Sequence, residues 1–325
     1  MATYPGPARA QDGSRDSGSL RLLEEEAHGL AETLPDLLLE ADRIASTVAQ
    51  GIHGRRRAGP GETFWQFRQY GPQDSAQSID WRRSASSDQL YVREREWEAA
   101  HTLWLWPDLS ASMTFRHLGS ASKRNRAIVL TLAAAELLVR SGERVGLLGV
   151  TRAFASRRAA ARLAEALAVN AFSPALTSGL VPAGRTSRFS TVVLVGDFLD
   201  PVDDVCRRIE EIASGGVAGH LVQVLDPAEE TLPYEGRTEF VGPELGERWI
   251  ADRAESLRSA FGERMTAHRA AIAECATRLG WSFLVHHTDR SAAEPLMALM
   301  MRLEGREGGY RWQGSPAGVA AGGQP

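Results

Sequence analysis

The feature that most constrains this 325-residue chain is an alternation that sets in near Ala99 and runs almost to the end. Short apolar segments and helical ones follow one another in turn. Thr102 to Trp106, Arg144 to Val150, Thr191 to Val195, His220 to Leu225 and Trp281 to His286 read as strands. Residues 123–140, 158–170, 202–213, 257–279 and 294–303 carry helical patterns. Several strands are apolar at successive positions, and Thr191-Val192-Val193-Leu194-Val195 is the clearest. Such a strand has no face left for water, so it belongs in a parallel sheet covered by helices on both sides. The predicted fold class is α/β, with a doubly wound, mostly parallel sheet.

What precedes the alternation has another character. Leu22, Leu23, Leu30, Leu34, Leu37 and Leu38 recur at three- and four-residue spacings, which predicts a helix from about Leu20 to Gln50, ended by Gly51. Residues 52–98 are rich in Arg, aromatics and Gly-Pro turns, with short strands expected at Thr63–Phe67 and Leu90–Val92. The chain therefore divides into a disordered 1–18, a helix and strand-rich segment over 19–98, an α/β domain over 99–304, and a disordered Gly/Ala/Pro-rich tail over 305–325. Within the α/β domain, residues 228–250 hold Pro233, Gly236, Gly242, Pro243 and Gly246 around Thr238–Val241, which predicts a β-hairpin insertion.

Composition narrows the function. A net charge of -4 argues against a general nucleic-acid or anionic-membrane binder. The polar N-terminus lacks the apolar core of a signal peptide, and the apolar run Ile128–Val139 is too short to span a bilayer. A soluble cytoplasmic protein is expected. Cys206 and Cys275 lie far apart without metal-type spacing, each in a helical segment, and read as reduced core thiols.

In an open doubly wound sheet, ligands bind beyond the carboxyl ends of the strands. Three strands here end in a carboxylate: Asp108, Asp197 and Asp226. The first begins an alternating set, Asp108-Leu109-Ser110-Ala111-Ser112. Alternation turns three oxygen donors toward one point while Leu109 and Ala111 turn away. Hard cations such as Mg2+ or Mn2+ want such oxygen ligands, and Asp197 is the natural second carboxylate.

Trp106-Pro107-Asp108-Leu109-Ser110-Ala111-Ser112-Met113 resembles the metal-ion-dependent adhesion site of von Willebrand factor A (vWA) domains. Upstream, Gly61–Phe64, Arg68–Asp74, Ser78–Ala85 and Leu90–Glu94 are similar to the signature block of the bacterial family known as domain of unknown function 58 (DUF58), which precedes a vWA-like domain. Asp197-Phe198-Leu199-Asp200 and Val224–Glu229 also fit that family. The resemblance covers about residues 20–303. It implies a vWA/Rossmann-like sheet and a non-enzymatic protein-interaction or adaptor module. It also implies a protein partner, a MoxR-type AAA+ ATPase or its client, in the assembly or maturation of other proteins. It carries over Asp108, Ser110, Ser112 and Asp197 as metal positions. The vWA pattern adds a Thr from an intervening loop. Thr177, beside Ser178, is the matching position, but it lacks a Gly-Gly-Thr-type context and lies close to Asp197. That departure points to a degenerate metal site.

Competing readings can be weighed on the same residues. A metal-dependent hydrolase or phosphatase could use the strand-end carboxylates, yet there is no Gly-x-Ser-x-Gly elbow, and Ser110 stands where such phosphatases place a second Asp. No Walker A or Gly-x-Gly-x-x-Gly motif is present, which argues against nucleotide hydrolysis by this chain. A structural adaptor with a vestigial metal site is the third reading. Arg55–Arg57, Arg82 and Arg83 beside Trp65, Phe67 and Trp81 invite a nucleic-acid reading. Nearby Glu62, Asp74, Asp80, Asp88, Glu94 and Glu96 nearly balance that charge, so an internal ion-pair and aromatic network is favoured. His286 and His287 are adjacent in a strand and must point to opposite faces, which favours structural roles over a paired metal site.

Overall fold

The computed structural model describes residues 13–53, 64–71, 74–95, 101–117, 121–183, 186–242 and 247–307. Helix α1 spans Gly13–His53. Strands β1 (Phe64–Gln69) and β2 (Tyr91–Arg95) pair antiparallel, with the one-turn helix α2 (Trp81–Ser84) between them. The alternating region then supplies β3 (Thr102–Pro107), α3 (Lys123–Arg140), β4 (Arg144–Leu147), α4 (Ala159–Val169), the short α5 (Pro174–Thr177) and β5 (Thr191–Gly196). After these come α6 (Val202–Ala213), β6 (Ala218–Leu225) and α7 (Pro227–Thr231). The hairpin β7 (Thr238–Val241) and β8 (Arg248–Ala251) leads to α8 (Arg258–Arg278), β9 (Ser282–His287) and α9 (Ala293–Glu307).

The five apolar strands form one parallel sheet in the order β4-β3-β5-β6-β9. This meets the α/β expectation. Every residue of β5 is buried, as a strand covered on both faces must be. α3 and α9 close over the face bearing Leu105, Val193, Val195 and Val222. On the opposite face the Trp106 indole donates from Nε1 to the Ala175 carbonyl at 2.7 Å. The chain leaves β3 for β4 on one side and returns to β5 on the other. Strand order therefore reverses between β3 and β5, the place where a doubly wound sheet forms its ligand crevice, beyond the strands' carboxyl ends.

Several boundaries differ from the sequence expectation, among them β4, which ends at Leu147 rather than Val150. Helix α1 begins at Gly13, inside the segment expected to be disordered, and α9 runs to Glu307, past the expected start of the tail. The rest of both predicted disordered segments, 1–12 and 308–325, lies outside the described residues. Gly51 does not end α1, which continues to His53. Its smallness serves packing instead: a Cβ there would come within 2.7 Å of Met297 Cε on α9. Leu30, Leu34, Leu37, Ala41, Ala45 and Val48 form the buried stripe of α1, which lies on α3, α4 and α9. Gly51→Ala is expected to change stability by no more than about 1 kcal/mol, because the exposed site and the flexible end of Met297 let the contact relax while alanine gains about 1 kcal/mol of helix propensity. Thermal unfolding measures the difference.

The strand-rich segment is knitted by its own residues. Arg68 grips Asp74 with two bonds of 2.9 and 2.8 Å, and Arg83 stacks over the rings of Phe67 and Tyr91 at 5.6 and 5.7 Å. Asp80 caps α2 by accepting from the Arg83 N–H. Arg55–Arg57 lie outside the described residues. Among the described residues, no helix is long and apolar enough to cross a membrane.

Candidate functional site

Pro107 pairs with Val195 across β3 and β5, and the Asp108 N–H donates to the Val195 carbonyl at 2.8 Å. This register carries Asp108 and Asp197 past the sheet edge side by side. Gly196 makes the approach possible, because a Cβ there would stand 2.9 Å from Asp108 Cβ. Phe198 then turns left-handed at φ 51, and its carbonyl meets His268 Nε2 of α8 at 2.8 Å. A buried phenylalanine rarely adopts that backbone, so the turn after Asp197 is held by its surroundings. The Gln223 amide adds a bond of 2.8 Å to the Asp197 carbonyl.

The hydroxyls fall where the alternation places them. The Ser110 N–H donates to Asp108 Oδ1 at 2.8 Å. Ser110 Oγ lies 3.1 Å from Ser112 Oγ, and Ser112 donates to Asp197 Oδ2 at 2.7 Å. Asp108 and Ser110 are fully buried, Asp197 nearly so, and Ser112 half-buried. Four of the predicted site residues, Asp108, Ser110, Ser112 and Asp197, thus share one crevice. Thr177 comes close through its backbone neighbour, since the Leu109 N–H donates to the Leu176 carbonyl at 2.7 Å. Its hydroxyl donates within α5, to the Ser173 carbonyl at 3.2 Å.

Sequence reasoning missed Lys123. It is the first residue of α3, and its ammonium is completely buried. It donates to Asp197 Oδ2 at 2.8 Å and to Glu229 Oε1 at 2.6 Å. Burial opposes its charge, yet Asp197 and Glu229 outweigh burial and hold the proton more firmly than on a free lysine. A signal was available. A cation in the first turn of a helix opposes the helix dipole, so it calls for a compensating anion nearby. Glu229 was read only as part of a family motif. It closes a capping box on α7, accepting from the Asp226 N–H at 3.0 Å while its other oxygen holds Lys123. Burial raises its carboxyl above the usual range, against the pull of Lys123.

The third strand-end carboxylate is spent on structure. Asp226 accepts from the Ala228 N–H at 3.0 Å, the His117 N–H at 2.9 Å and the Thr288 hydroxyl at 3.3 Å. His286 and His287 diverge as adjacent strand residues must. His287 Nε2 meets Glu230 Oε2 at 2.8 Å, and His286 is buried and pushed down to about 3 by burial and by Arg126.

Charge is unbalanced in the crevice. Asp108, Asp197 and Glu229 face one ammonium. Asp108 carries the consequence: burial, then the charge of Asp197, raises its carboxyl to about 8. Its Oδ2 is buried without a hydrogen-bond partner. A buried carboxylate oxygen left unpaired is costly. The donor set suits a hard divalent cation, because all its atoms are oxygen. In octahedral coordination at the bond lengths of Mg2+, adjacent ligand oxygens stand about 2.9 Å apart. The spacings of 3.1 Å between the hydroxyls and 2.7 Å from Ser112 to Asp197 are close to that. Among the described residues, no group of three or more His, Cys, Asp or Glu converges as a metal cage, so this set rests on two carboxylates and two hydroxyls.

The family model described as protein of unknown function DUF58 matches residues 66–271. Uncharacterized proteins of Mycobacterium tuberculosis and Mycobacterium bovis are 28% identical over 280 residues, which is 80% of this chain and 86% of theirs. Two solved structures are similar at 15% identity, each matched over its whole length and over 64% of this chain. One is the conserved hypothetical protein BatB of Bacteroides thetaiotaomicron, at a TM-score of 0.35. The other is an aerotolerance-related membrane protein of Bacteroides fragilis, at 0.36. The fold assignment above rests on the sheet itself.

Proposed function

Since the chain belongs to the DUF58 family, which is defined by sequence and brings no activity with it, we propose a function from the crevice: a non-catalytic, vWA-like interaction module that recruits an acidic side chain of a protein partner through a bound divalent cation. Asp108, Ser110, Ser112 and Asp197 are the residues that would hold Mg2+ or Mn2+. The cation would supply the positive charge that the crevice lacks and leave an open position for a partner's carboxylate. Thr177 would join only if its hydroxyl left the Ser173 carbonyl.

One observation carries this reading. The Asp108 carboxylate is buried, has an oxygen without a hydrogen-bond partner, and faces Asp197 across two hydroxyls at ligand-like spacings. Lys123 already answers part of the charge of Asp197. That makes metal affinity modest and lets a partner's carboxylate tip the balance. The partner class follows from the resemblance in the upstream block, whose carriers commonly sit beside genes for MoxR-type AAA+ ATPases. The chain would then work in the cytoplasm as adaptor between such an ATPase and its client.

Calorimetric titration of MgCl2 into the chain and into Asp108→Ala tests the metal. Binding heat is expected in the first and none in the second. Equal heats, or none in either, would falsify the metal reading. Capture from native lysate with and without chelator then tests the partner: a MoxR-type ATPase lost on chelation is the expected result.

A further inference from the structure

The chain contains two cysteines, Cys206 and Cys275, far apart in sequence. The fold brings them to one place. Cys206 lies on α6 with Glu210 one turn later, so the two share a helix face. Cys275 lies on α8, which packs against α6, and its Sγ stands 3.9 Å from Glu210 Oε1. It therefore points at the stripe that carries Cys206. Both thiols are free, Cys275 buried and Cys206 half-buried. Arg278, also on α8, lies 3.6 Å from Glu210 Oε1 and reaches Cys275 from the rim. Burial, then hydrogen bonding to Cys275, pushes the Cys206 thiol up to about 12, in keeping with the proximity that the α6–α8 packing gives the two thiols.

We propose that Cys206 and Cys275 are an oxidisable dithiol that closes a reversible α6–α8 disulfide when the protein meets a peroxide. The half-buried Cys206 is the sulfur a small oxidant can reach. Its sulfur attacks one peroxide oxygen, the O–O bond breaks, and the thiol proton leaves with the other oxygen as water. Cys206 becomes a sulfenic acid. Cys275 sulfur then attacks that sulfur, the S–O bond breaks, and the hydroxyl departs with the Cys275 proton as a second water. Two thiols and one hydrogen peroxide give one disulfide and two waters, a two-electron oxidation of the pair. The thiolate is the attacking form and is scarce at Cys206 near neutrality, so the reaction is slow and speeds up with pH. The pair suits sustained oxidation rather than a transient pulse.

The link would join the elements on either side of the Asp197 turn. α6 follows that turn directly, and α8 supplies His268, which holds the Phe198 carbonyl. Oxidation would thus stiffen one wall of the candidate site without touching its donors.

The test uses the full chain, reduced, freed of reductant and exposed to hydrogen peroxide at several pH values. The expected result is an intact mass lower by two hydrogens, with loss of both titratable thiols. A non-reduced digest should link the Cys206 and Cys275 peptides, and dithiothreitol should reverse all three changes. The thermal midpoint of the oxidised form should rise by several degrees. Cys206→Ser and Cys275→Ser should each keep one thiol and form no intramolecular link. Oxygen adducts on separate cysteines, or linked dimers in place of the intramolecular bond, would overturn the proposal. The wild-type mass measurement decides it even if a serine variant folds poorly.

Discussion

Lys123→Met is expected to destabilise the protein by about 3–5 kcal/mol, the usual cost of removing one partner from a buried ion pair. Methionine keeps most of the apolar stem, so packing changes little. What changes is charge. Asp197 and Glu229 each lose a charge-assisted bond, of 2.8 and 2.6 Å, and remain beside Asp108 with no cation. The intact pair itself is not the source of the loss, since desolvation offsets most of its attraction. The loss comes from stranded anions. Adding Asp197→Asn and Glu229→Gln to Lys123→Met should therefore recover much of it. Denaturant unfolding in chelator measures all three chains. A single variant within about 1 kcal/mol of wild type would show that the crevice hydrates its carboxylates and that the ammonium is dispensable. If the crevice also takes magnesium, the cation should raise the midpoint of Lys123→Met more than that of wild type.

Asp108→Asn is expected to act in the other direction and to depend on pH. The sign follows from proton counts. The folded carboxyl titrates at about 8 and the unfolded one near 3.8, so between those values the folded state holds the extra proton. Stability from this group is then fully present below about pH 4, and it declines as pH rises, with the loss complete by about pH 8. Four units correspond to about 5 kcal/mol as an upper bound, and relaxation of the site brings the expected gain for Asn at pH 8 to about 2–4 kcal/mol. Asparagine retains an acceptor for the Ser110 N–H. His286 contributes oppositely: its pKa is depressed to about 3, so its stabilisation is present above about pH 6.5 and lost as pH falls toward 3. Both chains share that acid limb, so it cancels in the difference. Unfolding in urea with chelator at pH 5 and pH 8 should give a gap between Asn and wild type that widens with pH. A constant gap would mean that Asp108 is not held protonated. Magnesium at pH 8 should narrow the gap by favouring the ionised wild-type carboxylate.

These two predictions rest on groups of unequal legibility. Asp108 was readable because an apolar strand followed by Asp-x-Ser-x-Ser ties donor chemistry to a strand end. Asp197 was readable for the same reason at a second strand. Lys123 carried only the hint of a cation in a first helical turn, and neither it nor Glu229 revealed its partner, because those partners lie far along the chain. Only the meeting of the start of α3 with the start of α7 makes them one ion-pair cluster. Asp226 shows the opposite case. By position it ranks with Asp108 and Asp197, yet its oxygens are taken by backbone and hydroxyl donors from the His117, Ala228 and Thr288 positions. Asp197 is occupied as well, by Ser112, Lys123 and the Leu199 N–H, so strand-end position alone does not show that Asp108 Oδ2 is the oxygen left without a partner.

The glycines and cysteines carry the same lesson. Gly51 looked like a helix end, and Met297 on α9 shows that it is a contact point. Cys206 and Cys275 looked like unrelated core thiols, and the packing of α6 on α8 makes them neighbours. By itself the sequence determined the strands, the helices, the parallel sheet and the two carboxylates at its carboxyl edge. Periodicity and local donor spacing are properties of short segments, and burial on both faces leaves a β-branched run few alternatives. The tertiary structure alone decided which charges meet, which oxygen is left without a partner and which two helices bring the cysteines together. Those depend on contacts between segments far apart in the chain, which no local pattern encodes.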